Sequence, residues 1–182
     1  MKADAEATRS TAAGLTLSPL ERKHLTRTRA WANDPELMRL LNRQHTVTEA
    51  EHAEWFDALQ QATDRHYFAV ETDAGRHIGN VWLWQIDPRH RKAEVRIVIG
   101  EAANQGRGLG SRAIELVTDL AFATLDLHRL YAFVLDINPR ARRAFEKAGF
   151  CAEGILKEDR WTGDRRCDVF ALGRLRQPAL TS

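Results

Sequence analysis

The chain holds only two cysteines in 182 residues, Cys151 and Cys167, and they form no CxxC pair. We read them as free thiols in a reducing cytoplasm. Long apolar runs are also missing. No window approaches the run of about 18 residues that spans a bilayer. Met1 to Gly14 carries Asp4 and Glu6 without an apolar core, which is not the pattern of a secretory signal. Nor does one sign of charge prevail. Lys+Arg number 27 against Asp+Glu 25, a net charge of +2 that argues against a nucleic-acid binder. The seven histidines are scattered, none placed with cysteine or carboxylate at ligand spacing, so no metal is expected. Internal repeats are absent, and low-complexity linkers are absent after residue 14.

What remains is an ordinary globular composition, 43% hydrophobic and 29% charged, long enough to bury the core of one domain. The Ala/Thr/Ser-rich residues 1–14 read as a disordered tail, and residues 15–176 as the domain. A short strand is expected over Leu15–Leu20 and a helix over Glu21–Ala32, broken by Asn33-Asp34-Pro35. Thr48-Glu49-Ala50-Glu51 is a capping box that starts a helix running to about Ala62. Strands follow at Tyr67–Thr72, Ile78–Ile86 and Ala93–Gly100. In the last, Ala93, Val95, Ile97 and Ile99 alternate with Glu94, Arg96 and Val98. Then come a helix over Gly108–Asp126, a strand over Arg129–Asp136, a helix over Pro139–Ala148, and strands at Cys151–Leu156 and Cys167–Leu172. The order is that of a mixed α/β domain.

The connection after the third of these strands is rich in glycine: Gln105-Gly106-Arg107-Gly108-Leu109-Gly110-Ser111. Without Cβ atoms, successive N–H groups can curl toward one anion, and a helix N-terminus adds free donors and a positive dipole end. Arg107 supplies a permanent cation. A Walker A loop would need Gly-Lys-Ser/Thr where the chain has Gly110-Ser111-Arg112. A dinucleotide fingerprint would need glycine at Ser111. The pattern Q/R-x-x-G-x-G/A fits in full, as Gln105-x-x-Gly108-x-Gly110. One helix and one strand later stands Asn138-Pro139-Arg140-Ala141-Arg142-Arg143-Ala144-Phe145-Glu146-Lys147-Ala148-Gly149-Phe150. Asn138 is its N-cap, Pro139 its first helical residue and Gly149 its stop. Its three arginines and Lys147 suit a ligand with several phosphates.

The pair of motifs, in this order and spacing, resembles the GNAT superfamily of acyl-CoA-dependent N-acyltransferases. The resemblance runs from about Leu15 to Leu175, and its specific part is Glu94–Phe150. It implies a GNAT fold: a mostly antiparallel central sheet splayed between two parallel strands and flanked by helices. It implies acetyl-CoA as co-substrate. Pantetheine would bond the backbone at Ile97, Val98 and Ile99, pyrophosphate would sit on Gln105 to Ser111, and Asn138 would hold the pantetheine arm. Arg143, Phe145 and Lys147 complete the expected cofactor set.

The implied reaction is direct attack of a primary amine in a ternary complex. An amine with pKa near 10.4 is about 99.9% protonated at neutral pH, so it must lose a proton first. General-base help is worth on the order of 10²–10⁴ in rate, and Glu94 is the candidate base. Many members of the superfamily carry tyrosine where this chain has Phe145, and that tyrosine protonates the leaving thiolate, which Phe145 cannot do. Binding of acyl-CoA without turnover is the alternative that this departure keeps open. Trp31, Asn33, Trp82 and Trp84 are the expected acceptor residues. Trp31-Ala32-Asn33-Asp34-Pro35 with His52-x-x-Trp55-Phe56 resembles transferases of nucleotide-linked amino sugars, while Arg91–Arg174 resembles the spermidine and ribosomal-protein N-terminal branch. The expected partners are a small-molecule amine or a peptide N-terminus and a second copy as a homodimer, with no nucleic acid and no membrane.

Overall fold

The computed structural model describes residues 10–12 and 14–178. Among these residues, eight strands form one sheet in the order β1-β2-β3-β4-β5-β6-β8-β7. They are β1 (Ser10–Ala12), β2 (Leu15–Pro19), β3 (His66–Thr72), β4 (His77–Asp87), β5 (Lys92–Ile99), β6 (Arg129–Leu135), β7 (Cys151–Trp161) and β8 (Arg166–Leu175). Five helices accompany them: α1 (Leu25–Ala32), α2 (Pro35–Leu40), α3 (Glu49–Gln61), α4 (Leu109–Ala123) and α5 (Pro139–Lys147).

Every neighbouring pair is antiparallel except β5 and β6. These two run parallel and stay paired only at Lys92↔Arg129, Ala93↔Leu130 and Glu94↔Tyr131. Beyond Glu94 they diverge, and the expected splay is there. β5 keeps β4 along its other edge as far as Gly79↔Ile99. β6 turns its far edge to β8.

The alternation expected for β5 sorts the two faces. Ala93 and Val95 join the main core, with Val81, Leu83, Ile114, Val117 and Leu130, beneath α4. Apolar burial stabilises by roughly 25 cal/mol per Å² removed from water, and this is the largest of the buried apolar clusters among the described residues. On the opposite face α3 packs through Phe56, with Leu20 and Ala69, while Trp55 and Tyr67 lean against that cluster.

Three elements depart from expectation. Ser10–Ala12 pair with Leu15–Leu17 as β1, so ordered chain begins ahead of the boundary drawn at residue 15. The rest of the expected tail, residues 1–9 and 13, lies outside the described residues. No apolar alternation marks Ser10–Ala12; the pairing to β2 and the packing of α4 decide it. Asn33-Asp34-Pro35 does end α1, but it also starts α2: Asp34 accepts a bond from the Leu37 N–H at 2.9 Å, and Pro35 is the first helical residue. β7 continues to Trp161, through a bulge between Leu156 and Arg160 where Glu158 adopts φ +53°.

Candidate active site

The glycine turn delivers β5 into α4. Gly106 and Gly108 sit at φ +75° and +80°, left-handed backbone that a side chain would strain. The first intrahelical bond of α4 runs from the Arg112 N–H to the Gly108 carbonyl, and no side chain caps the helix. The N–H groups of Leu109, Gly110 and Ser111 are therefore the unpaired first-turn donors, at the positive end of a 15-residue helix. Gln105 anchors the turn: its Nε2 donates to the Ile99 carbonyl at 2.9 Å, and its Oε1 accepts from Arg140 of α5.

These donors border a cavity of about 270 Å³. The edge of β5 lines it at Ile97, Val98 and Ile99; the turn lines it at Gln105, Gly106, Gly108, Gly110 and Ser111. From α5 come Asn138, Arg140, Arg143 and Lys147, and from α2 Leu37, Leu40 and Leu41. Among the described lining residues there are three cations and no carboxylate. Curled N–H groups, three cations and an unpaired strand edge beside an apolar wall fit a long pantetheine arm that ends in phosphates. Along this edge the Ile99 carbonyl is already taken by the Gln105 side chain.

A second cavity of about 400 Å³ opens on the other side of the splay and shares Leu40, Leu41, Ile97, Asn138 and Ala141 with the first. Trp82, Glu94, Arg96, Phe133, Phe145 and Arg160 line it, with Arg43 at the rim. Glu94 is 5% exposed, and both its oxygens accept from Arg96, at 2.7 and 2.8 Å. Beside it on β6, burial and then the Glu94 charge raise the Tyr131 phenol. Burial pushes Tyr67 up to about 12. Both tyrosines therefore stay neutral near pH 7. Burial, with Arg29 and Arg43 nearby, lowers His52.

Eleven of the fourteen residues expected to hold the cofactor line the first cavity. Arg107 is exposed outside it, and Leu109 leans its side chain on the main core, leaving its N–H as the contribution. Phe145 lines the second cavity instead, 3% exposed and edge-on to Phe150 at 5.1 Å. Glu94 and Trp82 meet in that cavity as well. The other acceptor residues do not line it. Trp31 is buried between His77, 4.7 Å between ring centroids, and the Gly100 backbone, where a Cβ would lie 2.0 Å from the indole. Asn33 ties down the loop before α3, exchanging bonds with the Val47 carbonyl and N–H at 2.9 and 2.7 Å. Trp84 carries the guanidinium groups of Arg65 and Arg96 over its ring, at 4.1 and 5.1 Å. Sequence reasoning passed over Leu37, Leu40, Leu41 and Arg43, and counted Arg140 only among the cations of its motif. Asp34-Pro35 was the available signal for the first three, since it begins the helix that carries Leu37 and Leu40 and ends beside Leu41.

A turn of free N–H groups, an unpaired strand edge and an adjoining carboxylate-bearing cavity suit an acyl-carrier-dependent transferase. The acetyltransferase (GNAT) domain profile matches residues 14–151, and the chain belongs to that family. Spermidine N(1)-acetyltransferase of Escherichia coli K12 is 34% identical over 143 residues, 79% of this chain and 76% of that protein. Its counterpart from Vibrio cholerae serotype O1 is 35% identical over 123 residues, 64% of this chain and 70% of that protein. The crystal structure of Vibrio cholerae spermidine N-acetyltransferase in complex with CoA and spermine superposes with a TM-score of 0.84 at 31% identity. It covers 89% of this chain and 95% of that one. A dodecameric structure of the Vibrio cholerae enzyme matches at 0.77, with 30% identity over 89% of this chain and 94% of that one. The chain is an acetyl-CoA-dependent N-acetyltransferase, and acetyl-CoA is its co-substrate. No helix among the described residues is long and apolar enough to cross a membrane.

Proposed function

We propose that the chain acetylates a primary amine by direct attack, with Glu94 as the acid–base residue. The observation that carries this reading is the position of Glu94, at the point where β5 and β6 part and the second cavity begins. Arg96 fixes the carboxylate in place, and an ammonium group entering past Trp82 would reach it for proton transfer. N–H groups of the β5 edge beyond Glu94 supply donors toward the thioester oxygen, an oxyanion-type contribution. Phe145 delivers no proton. A thiol with pKa near 8.5 is a fair leaving group without one, so its loss is tolerable.

The spermidine enzymes among the relatives make a polyamine one acceptor to try, beside amino sugars, aminoglycosides and N-terminal peptides. The test is release of free CoA from acetyl-CoA with this panel, by thiol titration. Turnover with any member supports the reading; tight CoA binding with no thiol released from any amine leaves an acyl-CoA-binding protein instead.

We also propose that the single domain of residues 15–176 self-associates, as a homodimer or larger. Edge strand β7 is exposed throughout and carries Ile155, Leu156 and Trp161 outward, which supports the proposal. Sedimentation velocity on the intact chain and on Trp161→Lys tests it. The cytoplasm is its proposed compartment, since acetyl-CoA is held there and Cys151 and Cys167 are both free.

A further inference from the structure

The charge on the acceptor cavity is opposite to what a polycation needs. Of the four charged residues that line it, Arg43, Arg96 and Arg160 are cations, and Glu94 is the one carboxylate among the described lining residues. Arg96 already occupies both oxygens of Glu94. Arg160 pairs with Asp159 at 2.5 Å. Arg43 has no ion pair and no side-chain hydrogen bond among the described residues, and it stands at the rim where an arriving molecule meets it.

A polyamine would need several carboxylates; the cavity offers the Phe133 ring as an open face, but Glu94 is its one carboxylate among the described lining residues. Six acids stand on or just before the early helices: Asp34, Glu36, Glu49, Glu51, Glu54 and Asp57. Asp34 and Glu51 cap α2 and α3. Glu36 faces Arg140 at 3.4 Å, Glu49 faces Arg29 at 3.6 Å, and Asp57 bonds Arg22 at 2.5 Å. None of the six lines the cavity. Trp84, the aromatic that could have received an ammonium group, is covered by Arg65 and Arg96. Trp82 is stacked on Tyr67 at 5.0 Å with the planes 9° apart.

We infer that the acceptor is a primary amine carrying its own anionic group, carboxylate or phosphate, with Arg43 receiving that anion while the amine reaches Glu94. This rests on the transferase reading and names the acceptor class for the same site. An arginine fork with no competing partner is suited to either oxyanion, and attraction at a cleft mouth raises the encounter rate.

The test is steady-state kinetics on the full chain at saturating acetyl-CoA, with amines in matched pairs. Cadaverine is set against 5-aminopentanoate, ethanolamine against phosphoethanolamine, and glucosamine against glucosamine 6-phosphate, with spermidine alongside. The expected result is a kcat/KM at least about tenfold higher for the anionic member of a pair. The first pair reports a carboxylate preference and the other two a phosphate preference. Added salt should raise KM for that member, because screening weakens an attraction. Arg43→Ala should remove most of the preference and leave KM for acetyl-CoA unchanged, which also shows that the variant is folded. Arg43→Glu should turn the preference toward cadaverine. Spermidine or the members without an anionic group turning over best, with Arg43→Ala silent, overturns the inference while the transferase reading stands. Free CoA from none of the amines overturns both.

Discussion

The two cavities share five residues yet are built from different material. The donor cavity owes most of its hydrogen-bonding groups to backbone, namely an unpaired strand edge, a turn held at positive φ and the free N–H groups of a helix start, with Arg140, Arg143 and Lys147 added from α5. The acceptor cavity is lined by side chains from α2 and the loop after it, β4, β5, β6, α5, β7 and β8. A backbone site tolerates most side-chain changes and fails when the chain cannot take its shape. A side-chain site can be re-aimed by one residue.

That contrast is broken most directly at Glu94. Glu94→Gln is expected to lower kcat by about 10²-fold or more, with KM for acetyl-CoA unchanged. An unaltered rate and pH profile would remove Glu94 from the chemistry. Gly108→Val is the complementary change. A β-branched residue at φ +80° costs on the order of 1–3 kcal/mol, so the turn should shift. KM for acetyl-CoA should rise about tenfold or more, while the ranking of acceptors stays as it was. A changed ranking would mean that the two cavities are not independent.

Acid separates the two sides more gently. His24, His52 and His77 lie on the face of the sheet that carries α1 and α3, and burial lowers the pKa of each. The unfolded chain binds more protons than the folded one wherever a pKa is lowered, so stability rises with pH. The contribution of the three is fully present above the unfolded value near 6.5 and is lost as pH falls below it. Thermal midpoints should drop by several degrees between pH 7 and 5.5, at about 2–4 °C per kcal/mol for a domain of this size. A flat midpoint over that range would mean that the acids around them, Glu71 foremost for His24, offset the burial. The smallest effect is expected from Phe145→Tyr. It restores a donor beside the acceptor cavity, yet should change kcat by less than about threefold, because the thiolate already leaves readily. A larger gain would show that protonation of the leaving group limits the rate.

Much of the donor side was legible in advance, because its determinants are local. Gln105-x-x-Gly108-x-Gly110 encodes a backbone shape within six residues, and Asn138-Pro139 encodes a helix start within two. The acceptor side was read less well, and the tryptophans show why. Trp31, Trp82 and Trp84 look alike in sequence. The fold buries Trp31 against Gly100, stacks Trp82 on Tyr67 at the cavity wall and covers Trp84 with two arginines. Asn33 fails for the same reason, its amide being spent on Val47. Arg43 was passed over because nothing local marks it; its meaning comes from the carboxylates that do not reach it.

By itself, then, the sequence determined the mixed α/β class and the glycine turn that starts α4, since periodicity, capping and glycine geometry act over a few neighbouring residues. Glu94 became the acid–base candidate only through the family resemblance. Only the tertiary structure decided that β5 and β6 separate after Glu94, that α2 walls the donor cavity, and that the acceptor cavity is left cationic. Those outcomes depend on which charges and rings find each other across the fold, at separations such as the 104 residues between Glu36 and Arg140, and no local pattern carries that information.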